Sequence, residues 1–148
     1  MAKRGYLFFD LDGTIADSGA GITQSVNDMF AAVGASPLTS AEVTRIIGPP
    51  FQTTMPELLR ARGIDESRTN EFIYEYRRIY KAHHLPHTPV IDGMREVVDE
   101  LAAHWHLSVV TAKPGGTATP ACVISPRLAH FPPTRAKSAW LMREKSNV

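Results

Sequence analysis

The sequence predicts an α/β protein in which a parallel β-sheet carries an inserted, all-helical segment. Two short apolar runs, at residues 6–9 and 107–111, are typical of strands that lie inside a parallel sheet. A helical pattern of apolar residues over 94–102 leads directly into the second run, as in a helix-to-strand crossover. Between residues 18 and 85 only helical spacings occur, so this part is expected to form a separate helical domain.

The first elements are predicted from their apolar patterns and from the glycines that end them. Residues 6–9 are continuously apolar and aromatic-rich, so this strand is expected to be buried on both faces. Gly13 ends it. Apolar residues then recur at helical spacing over 22–33, and Gly34 follows in the position typical of a residue just beyond a helix C-terminus.

Three further helices are predicted in the insertion. Thr39 and Glu42 have the spacing of a capping box at the start of a short helix. A second helix is expected over 54–62, with Pro56 in its first turn, where proline is tolerated. A stripe of apolar and aromatic residues at helical spacing over 72–80 predicts a longer helix with one buried face.

These patterns divide the chain into three parts. The α/β core is predicted to comprise residues 1–17 and 88–114, and the helical insertion residues 18–87. The remaining segment, 115–148, has four prolines, a single acidic residue and no clear apolar period. It is not expected to continue the sheet. Its composition suggests either an out-of-frame or disordered segment, or a diverged C-terminus.

Composition narrows the classes of function. The formal net charge of the 148 residues is +1, which gives no electrostatic reason to expect a nucleic acid or an anionic membrane as partner. The one cysteine cannot form an internal disulfide, which favours a reducing compartment. The N-terminal apolar run is too short for a signal sequence, and no run is long enough to span a bilayer. We therefore expect a cytoplasmic protein; the sequence does not indicate its oligomeric state.

The segment FFDLDGTIADS, residues 8–18, carries the chemistry that the sequence suggests. Asp10 and Asp12 are two residues apart at the carboxyl end of a strand, where α/β sheets place their ligands, and are expected to share one pocket. Two converging carboxylates suit Mg²⁺, which retains room for a phosphate. Gly13 permits a sharp exit that lets a phosphate approach, and the Thr14 hydroxyl can fix the loop. The alternative interpretation is a polar strand-to-helix turn.

The same segment resembles the first motif of the haloacid dehalogenase-like (HAD) phosphohydrolase superfamily, a hydrophobic strand followed by D-x-D-G-T and then D-S. The helical insertion is similar in place and kind to the cap domain of the phosphoglycolate phosphatase branch. IIGPPF, at 46–51, resembles that branch's cap loop, and residues 90–114 resemble its return into the core and its second motif. The resemblance covers residues 6–114 and implies a Rossmannoid parallel-sheet core with a helical cap.

The resemblance also implies roles for individual residues. Asp10 matches the nucleophile that forms an aspartyl-phosphate, and Asp12 matches the general acid and base. Mg²⁺ would be held by the Asp10 carboxylate and the Asp12 backbone carbonyl. Thr111 matches the hydroxyl that holds the transferring phosphoryl group, helped by backbone N–H groups near Ala112. The implied partner is a small phosphorylated metabolite.

Two cations lie near these motifs. Arg45 just precedes the cap loop and could meet a substrate anion, although a solvated helix charge is the favoured interpretation. Lys113 is interpreted as a loop residue, because the clamping lysine of the superfamily comes from a later segment.

The chain departs from the superfamily pattern after Thr111. The later lysine motif and the acidic motif that completes the metal shell are both absent, and the core is expected to be incomplete at its C-terminal side. The sequence therefore predicts an Mg²⁺-dependent phosphomonoester hydrolase that is truncated or impaired. A non-catalytic protein that binds a phosphorylated metabolite or another protein, and a relative of the sugar-phosphate mutases, are the alternatives.

Overall fold

The computed structural model describes residues 3–113. In chain order the main elements are β1 (Tyr6–Phe9), α1 (Gly19–Ala31), α2 (Ser40–Ile46), α3 (Phe51–Arg60), α4 (Thr69–Ile79), α5 (Met94–His104) and β2 (His106–Val109). A 3₁₀ turn, Glu66–Arg68, precedes α4, and a π-helical turn, Tyr80–His84, and a second 3₁₀ turn, Leu85–His87, follow it.

The two strands form a parallel pair, as the helix-to-strand pattern predicted. They are paired in register from Tyr6 opposite His106 to Phe9 opposite Val109. One further hydrogen bond, from the Val110 N–H to the Phe9 carbonyl at 2.8 Å, extends the pairing to the carboxyl ends of both strands. The second strand was predicted over 107–111. It begins one residue earlier, at His106, and ends two residues earlier, at Val109, because the last two predicted residues belong to the exit loop.

Within residues 3–113 one face of this sheet is exposed, which contradicts the prediction of a first strand buried on both faces. Successive side chains of a strand point to opposite faces. Leu107 is 3% exposed, but Tyr6 and Phe8, on the other face, are 66% and 67% exposed. The apolar run predicted the strand correctly. In the described part of the chain, helix α5 packs against β2, and both Leu107 and Val98 are buried there. The face that carries Tyr6 and Phe8 has no such covering helix among the described residues.

The described chain divides into two compact units. The first combines residues 3–17 with 88–113 and contains β1, β2 and α5. Its buried apolar residues lie in the loop after β1, in α5 and in β2: Leu11, Ile15, Ala16, Val98 and Leu107. The second unit, Ser18–His87, is continuous in sequence and entirely helical.

The helical unit has a core of its own, formed by the apolar faces of α1, α3 and α4. The ring centroids of Phe30 and Phe72 lie 6.1 Å apart, and those of Phe51 and Tyr76 lie 4.3 Å apart. The fully buried side chains of this unit include Val26, Met29, Phe30, Ile46, Met55, Leu59 and Tyr80. Such a core stabilises helices that would be marginal in isolation.

The short helix α2 begins as predicted, and α3 does not. The Thr39 hydroxyl accepts from the Glu42 N–H at 3.3 Å while the Glu42 carboxylate accepts from the Thr39 N–H at 2.7 Å, which confirms the capping box. Helix α3 begins at Phe51, three residues before its predicted start, so Pro56 lies beyond the first turn. Pro50, with φ of −61° and ψ of 136°, already provides the extended N-cap residue.

A buried arginine joins α3 to the segment before α2. The Arg62 side chain is 3% exposed and forms an ion pair with Glu42 at 2.9 Å. Its guanidinium lies 4.2 Å from the centre of the Phe30 ring. It also donates to three backbone carbonyls, at 2.7, 2.8 and 2.9 Å: those of Ser36, Pro37 and Leu58.

Candidate active site

The loop after β1 is a compact turn built around one carbonyl. The Leu11 carbonyl accepts from three backbone N–H groups at 2.9 to 3.3 Å, those of Thr14, Ile15 and Ala16. The Gly13 N–H in turn donates to the Ala16 carbonyl at 2.8 Å. Gly13 has φ of +78°, a left-handed conformation that other residues adopt at a cost, which explains the glycine directly after the aspartates.

Buried neighbours hold this loop against the core. Leu11 is 0% exposed and Ile15 is 1% exposed. Two hydrogen bonds also tie the loop to the segment that enters α5, from the Ile91 N–H to the Ile15 carbonyl and from the Asp17 N–H to the Pro89 carbonyl, both at 2.9 Å. The loop is therefore fixed both by packing and by the return of the chain into the first unit.

The two aspartates flank the buried Leu11. Asp10 is exposed, and its Oδ1 accepts from the Leu11 N–H at 2.8 Å, which orients the carboxylate at the end of β1. The Asp12 side chain is only 15% exposed. The burial of Leu11 anchors the loop between them, at the carboxyl end of the strand.

The exit from β2 lies beside the exit from β1, because the strands are parallel and in register. Thr111 is 6% exposed, and its Oγ1 accepts from the Lys113 N–H at 3.1 Å. Ala112, between them, is exposed. The structure thus places the predicted residues Asp10, Asp12, Gly13, Thr14, Thr111 and Ala112 in two adjacent loops at one edge of the sheet.

Lys113 joins these two loops, although it had been interpreted as a loop residue only. Its Nζ lies 2.7 Å from the Asp12 Oδ1, and its side chain is 7% exposed. The sequence contained an indication of this contact: Lys113 follows Thr111 at the same two-residue spacing as Asp12 follows Asp10, so both pairs were candidates to face one pocket.

Arg45 lies elsewhere in the chain, in the last turn of α2 within the helical unit, and is exposed. This is the exposure expected of a solvated helix charge, which was the favoured interpretation.

The oxygen atoms of the β1 exit loop are the candidate metal ligands. Within residues 3–113, no group of three or more histidine, cysteine or acidic side chains could hold a metal ion. The two aspartates remain, with the backbone carbonyl of Asp12, because the Leu11 carbonyl already accepts three N–H groups. Such a set fits Mg²⁺, which binds through one or two carboxylates and takes its other ligands from water and substrate.

The sequence of this chain matches the family model of the haloacid dehalogenase-like hydrolases over residues 7–123. The chain belongs to this family. The match confirms the resemblance and extends beyond residue 114, where the resemblance had been expected to end. The fold class, a HAD-like parallel core with a helical insertion, is likewise confirmed by solved structures.

Related proteins of known name are similar to this HAD-family chain over most of its length. A 5′-nucleotidase of Pseudomonas aeruginosa is 36% identical over 110 residues, covering 74% of this chain and 48% of the relative. A phosphoglycolate phosphatase of Cereibacter sphaeroides is 34% identical over 111 residues, covering 73% and 51%.

Solved structures agree with these relatives. A predicted phosphatase from Clostridium acetobutylicum superimposes with a TM-score of 0.74 at 27% identity, over 88% of this chain and 60% of that protein. The Protein Tyrosine Kinase A of Mycobacterium tuberculosis superimposes with a TM-score of 0.70 at 32% identity, over 88% and 58%. The chain therefore spans about half the length of the curated relatives it matches.

None of the helices within residues 3–113 is both long enough and apolar enough to cross a membrane.

Proposed function

We propose that this HAD-family chain acts on phosphomonoesters of small metabolites, as a phosphatase of the phosphoglycolate phosphatase type. One observation carries the proposal: the two aspartates of the first motif and Thr111 of the second lie in adjacent loops at the carboxyl edge of a parallel strand pair. That edge is where open α/β sheets bind their ligands. Family membership supports the reaction class. We also propose a cytoplasmic location, since the single cysteine leaves no internal disulfide.

The proposed reaction has two steps. A carboxylate oxygen of Asp10 attacks the phosphorus, an oxygen–phosphorus bond forms, and the bond to the leaving oxygen breaks. Asp12 gives its proton to that leaving oxygen. In the second step Asp12 takes a proton from water, the water oxygen attacks the phosphorus, and the bond to Asp10 breaks. Inorganic phosphate leaves, and both carboxyl groups return to their starting states.

The remaining loop residues have supporting roles in this proposal. The Thr111 hydroxyl and the backbone N–H groups near Ala112 would hold the phosphoryl oxygens, and the turn at Gly13 and Thr14 leaves room for them. The Asp10 carboxylate and the Asp12 backbone carbonyl would hold Mg²⁺. When bound, Mg²⁺ supplies positive charge that offsets the repulsion between the carboxylate and an anionic substrate.

The test is release of inorganic phosphate by the purified chain in the presence of Mg²⁺. The substrates are 2-phosphoglycolate, nucleoside 5′-monophosphates and p-nitrophenyl phosphate. We expect turnover that Asp10→Asn abolishes and that a chelator removes. Asp92→Asn, an exposed acid in the turn before α5, is the matched control and should keep wild-type activity. Turnover that survives Asp10→Asn would refute the proposed nucleophile, and no turnover of any ester would refute the phosphatase proposal.

A second candidate is supported by the sequence beyond Thr111, where Glu144 is the only acidic residue. In that case the chain binds a phosphorylated metabolite or another protein without turnover. Binding of vanadate, measured by calorimetry with wild type and Asp10→Asn, together with absence of phosphate release, would favour this candidate. A phosphotransferase would instead transfer the phosphoryl group to an added acceptor alcohol.

A further inference from the structure

The contact between Lys113 and Asp12 is an unusual feature of this site. The Nζ–Oδ1 distance of 2.7 Å is that of a charge-assisted hydrogen bond, and the two side chains are only 7% and 15% exposed. The contact spans 101 residues of sequence and connects the exit loops of β1 and β2. A lysine side chain is seldom this buried unless it is paired. The ion pair is therefore part of the packed structure at the carboxyl edge of the sheet, where the reaction is proposed.

The backbone on both sides of the pair is fixed. On one side, the Leu11 carbonyl accepts three N–H groups and holds the loop that carries Asp12. On the other side, the Lys113 N–H donates to the buried Thr111 hydroxyl at 3.1 Å. These bonds fix the backbone of the two loops, whereas the contact with Lys113 acts on the Asp12 side chain itself. The ammonium group of Lys113 anchors one oxygen of that carboxyl group and thereby sets the direction of the other.

We infer that Lys113 is a positioning residue for Asp12, which orients the carboxyl group that protonates the leaving oxygen. This inference rests on the proposed function. Lys113 takes no part in proton transfer; the only proton transferred in the first step is the one that Asp12 gives to the leaving oxygen. The sequence after Thr111 has no lysine in the setting of the superfamily's later motif, whereas Lys113 places an ammonium group 2.7 Å from the Asp12 carboxylate.

The inference predicts a dependence on the leaving group. A poor leaving group, such as the alkoxide of 2-phosphoglycolate, needs a proton as its bond to phosphorus breaks, whereas p-nitrophenolate leaves without one. General acid catalysis typically contributes about 10²- to 10⁴-fold. Lys113→Met should therefore lower kcat for 2-phosphoglycolate by about 100-fold and for p-nitrophenyl phosphate by less than about 10-fold. KM should change little for either ester.

A merely structural ion pair gives a different result. Loss of a structural contact reduces the fraction of folded protein and lowers kcat for both esters by the same factor. Lys113→Arg keeps the charge and should recover part of the activity toward 2-phosphoglycolate. Lys81→Met, at an exposed position of the helical unit, is the matched control and should leave both rates unchanged. Thermal unfolding of each variant measures the folded fraction. If Lys113→Met does not fold, the losses of kcat for the two esters are compared in Lys113→Arg instead.

The outcomes separate this inference from the proposed function. If the wild type turns over both esters and Lys113→Met loses kcat equally for the two, or loses none, the role of Lys113 is overturned. The phosphatase proposal is not affected by that outcome. Absence of wild-type turnover toward every ester overturns the phosphatase proposal and the inference that rests on it. A larger loss for 2-phosphoglycolate than for p-nitrophenyl phosphate supports the inference.

Discussion

At the scale of single residues, Arg62 shows how a charged side chain can hold a small helical unit together. Its guanidinium has donor groups for several acceptors at once, and the structure provides the Glu42 carboxylate and three carbonyls. The planar guanidinium lies over the Phe30 ring. Because a buried charge is costly unless it is fully paired, removal of either partner exposes the other to that cost.

Arg62→Met is therefore expected to destabilise the chain strongly. Breaking a buried ion pair by removing one partner typically costs about 3 to 5 kcal/mol, since the remaining charge is left without its partner. Arg68→Met is the control, because Arg68 pairs with Glu71 on the surface, where the side chains are 44% and 61% exposed. That change should cost much less, because water screens the exposed pair. Urea unfolding of both variants checks the prediction, which is wrong if the two costs are equal.

The same pair predicts how stability depends on pH. Hydrogen bonds from Arg62, the largest cause, lower the pKa of Glu42 from 4.5 to about 2, against the opposing effect of burial. A carboxyl with a lowered pKa stabilises the fold above its unfolded pKa, and this stabilisation is lost as pH falls through the folded pKa. We expect the stability difference between wild type and Glu42→Gln to be constant near neutral pH and to shrink between 4.5 and about 2. Urea unfolding at several pH values measures it; a difference independent of pH would contradict the assignment.

At the scale of elements, the beginnings of helices are where sequence and structure can be compared most directly. The capping box of α2 was predictable because it depends on two side chains three residues apart. The start of α3 was not, because Phe51 begins the helix directly after Pro50, whose extended conformation the apolar period does not reveal. Exposure of Tyr6 and Phe8 was equally unpredictable, since an apolar strand gives no information about which elements cover it.

Thr39→Ala tests the contribution of the cap. The substitution removes the acceptor of the Glu42 N–H and should cost about 1 kcal/mol. Thr44→Ala is the matched control in the same helix, where the hydroxyl donates at 3.2 Å to the Ser40 carbonyl and is exposed. The control should change stability by less than about 0.5 kcal/mol, because alanine also has the higher helix propensity. Equal effects in thermal unfolding would show that the cap contributes nothing specific.

At the scale of the whole molecule, the two units differ in how their chain is arranged. The helical unit is one uninterrupted segment with its own core, whereas the α/β unit is assembled from two segments on either side of it. The candidate site lies entirely in the α/β unit. Its two aspartates could be predicted from one motif, but the pairing with Lys113 required the parallel register of strands far apart in sequence.

The continuous unit is expected to fold alone. Residues 18–87 expressed as a separate fragment should show a helical circular dichroism spectrum and a cooperative thermal transition, since the apolar faces of α1, α3 and α4 pack against one another within it. Leu59→Ala in the fragment removes a fully buried side chain. It should lower the free energy of unfolding by about 2 to 5 kcal/mol and the transition temperature with it. A fragment without a cooperative transition would show that the helical unit depends on the rest of the chain.

The parallel strand pair also constrains the order in which the molecule can fold. Tyr6 pairs with His106, one hundred residues further along, so formation of the sheet closes a very long loop, and such long-range pairings form slowly. Within the helical unit, Gly21 lies against His84, so its first and last turns are neighbours. Once that unit has folded, most of the loop is already closed. On the ribosome, the helices are synthesised before β2 exists. We therefore expect the contact of Lys113 with Asp12 to be among the last to form, and helix-destabilising changes to delay its formation.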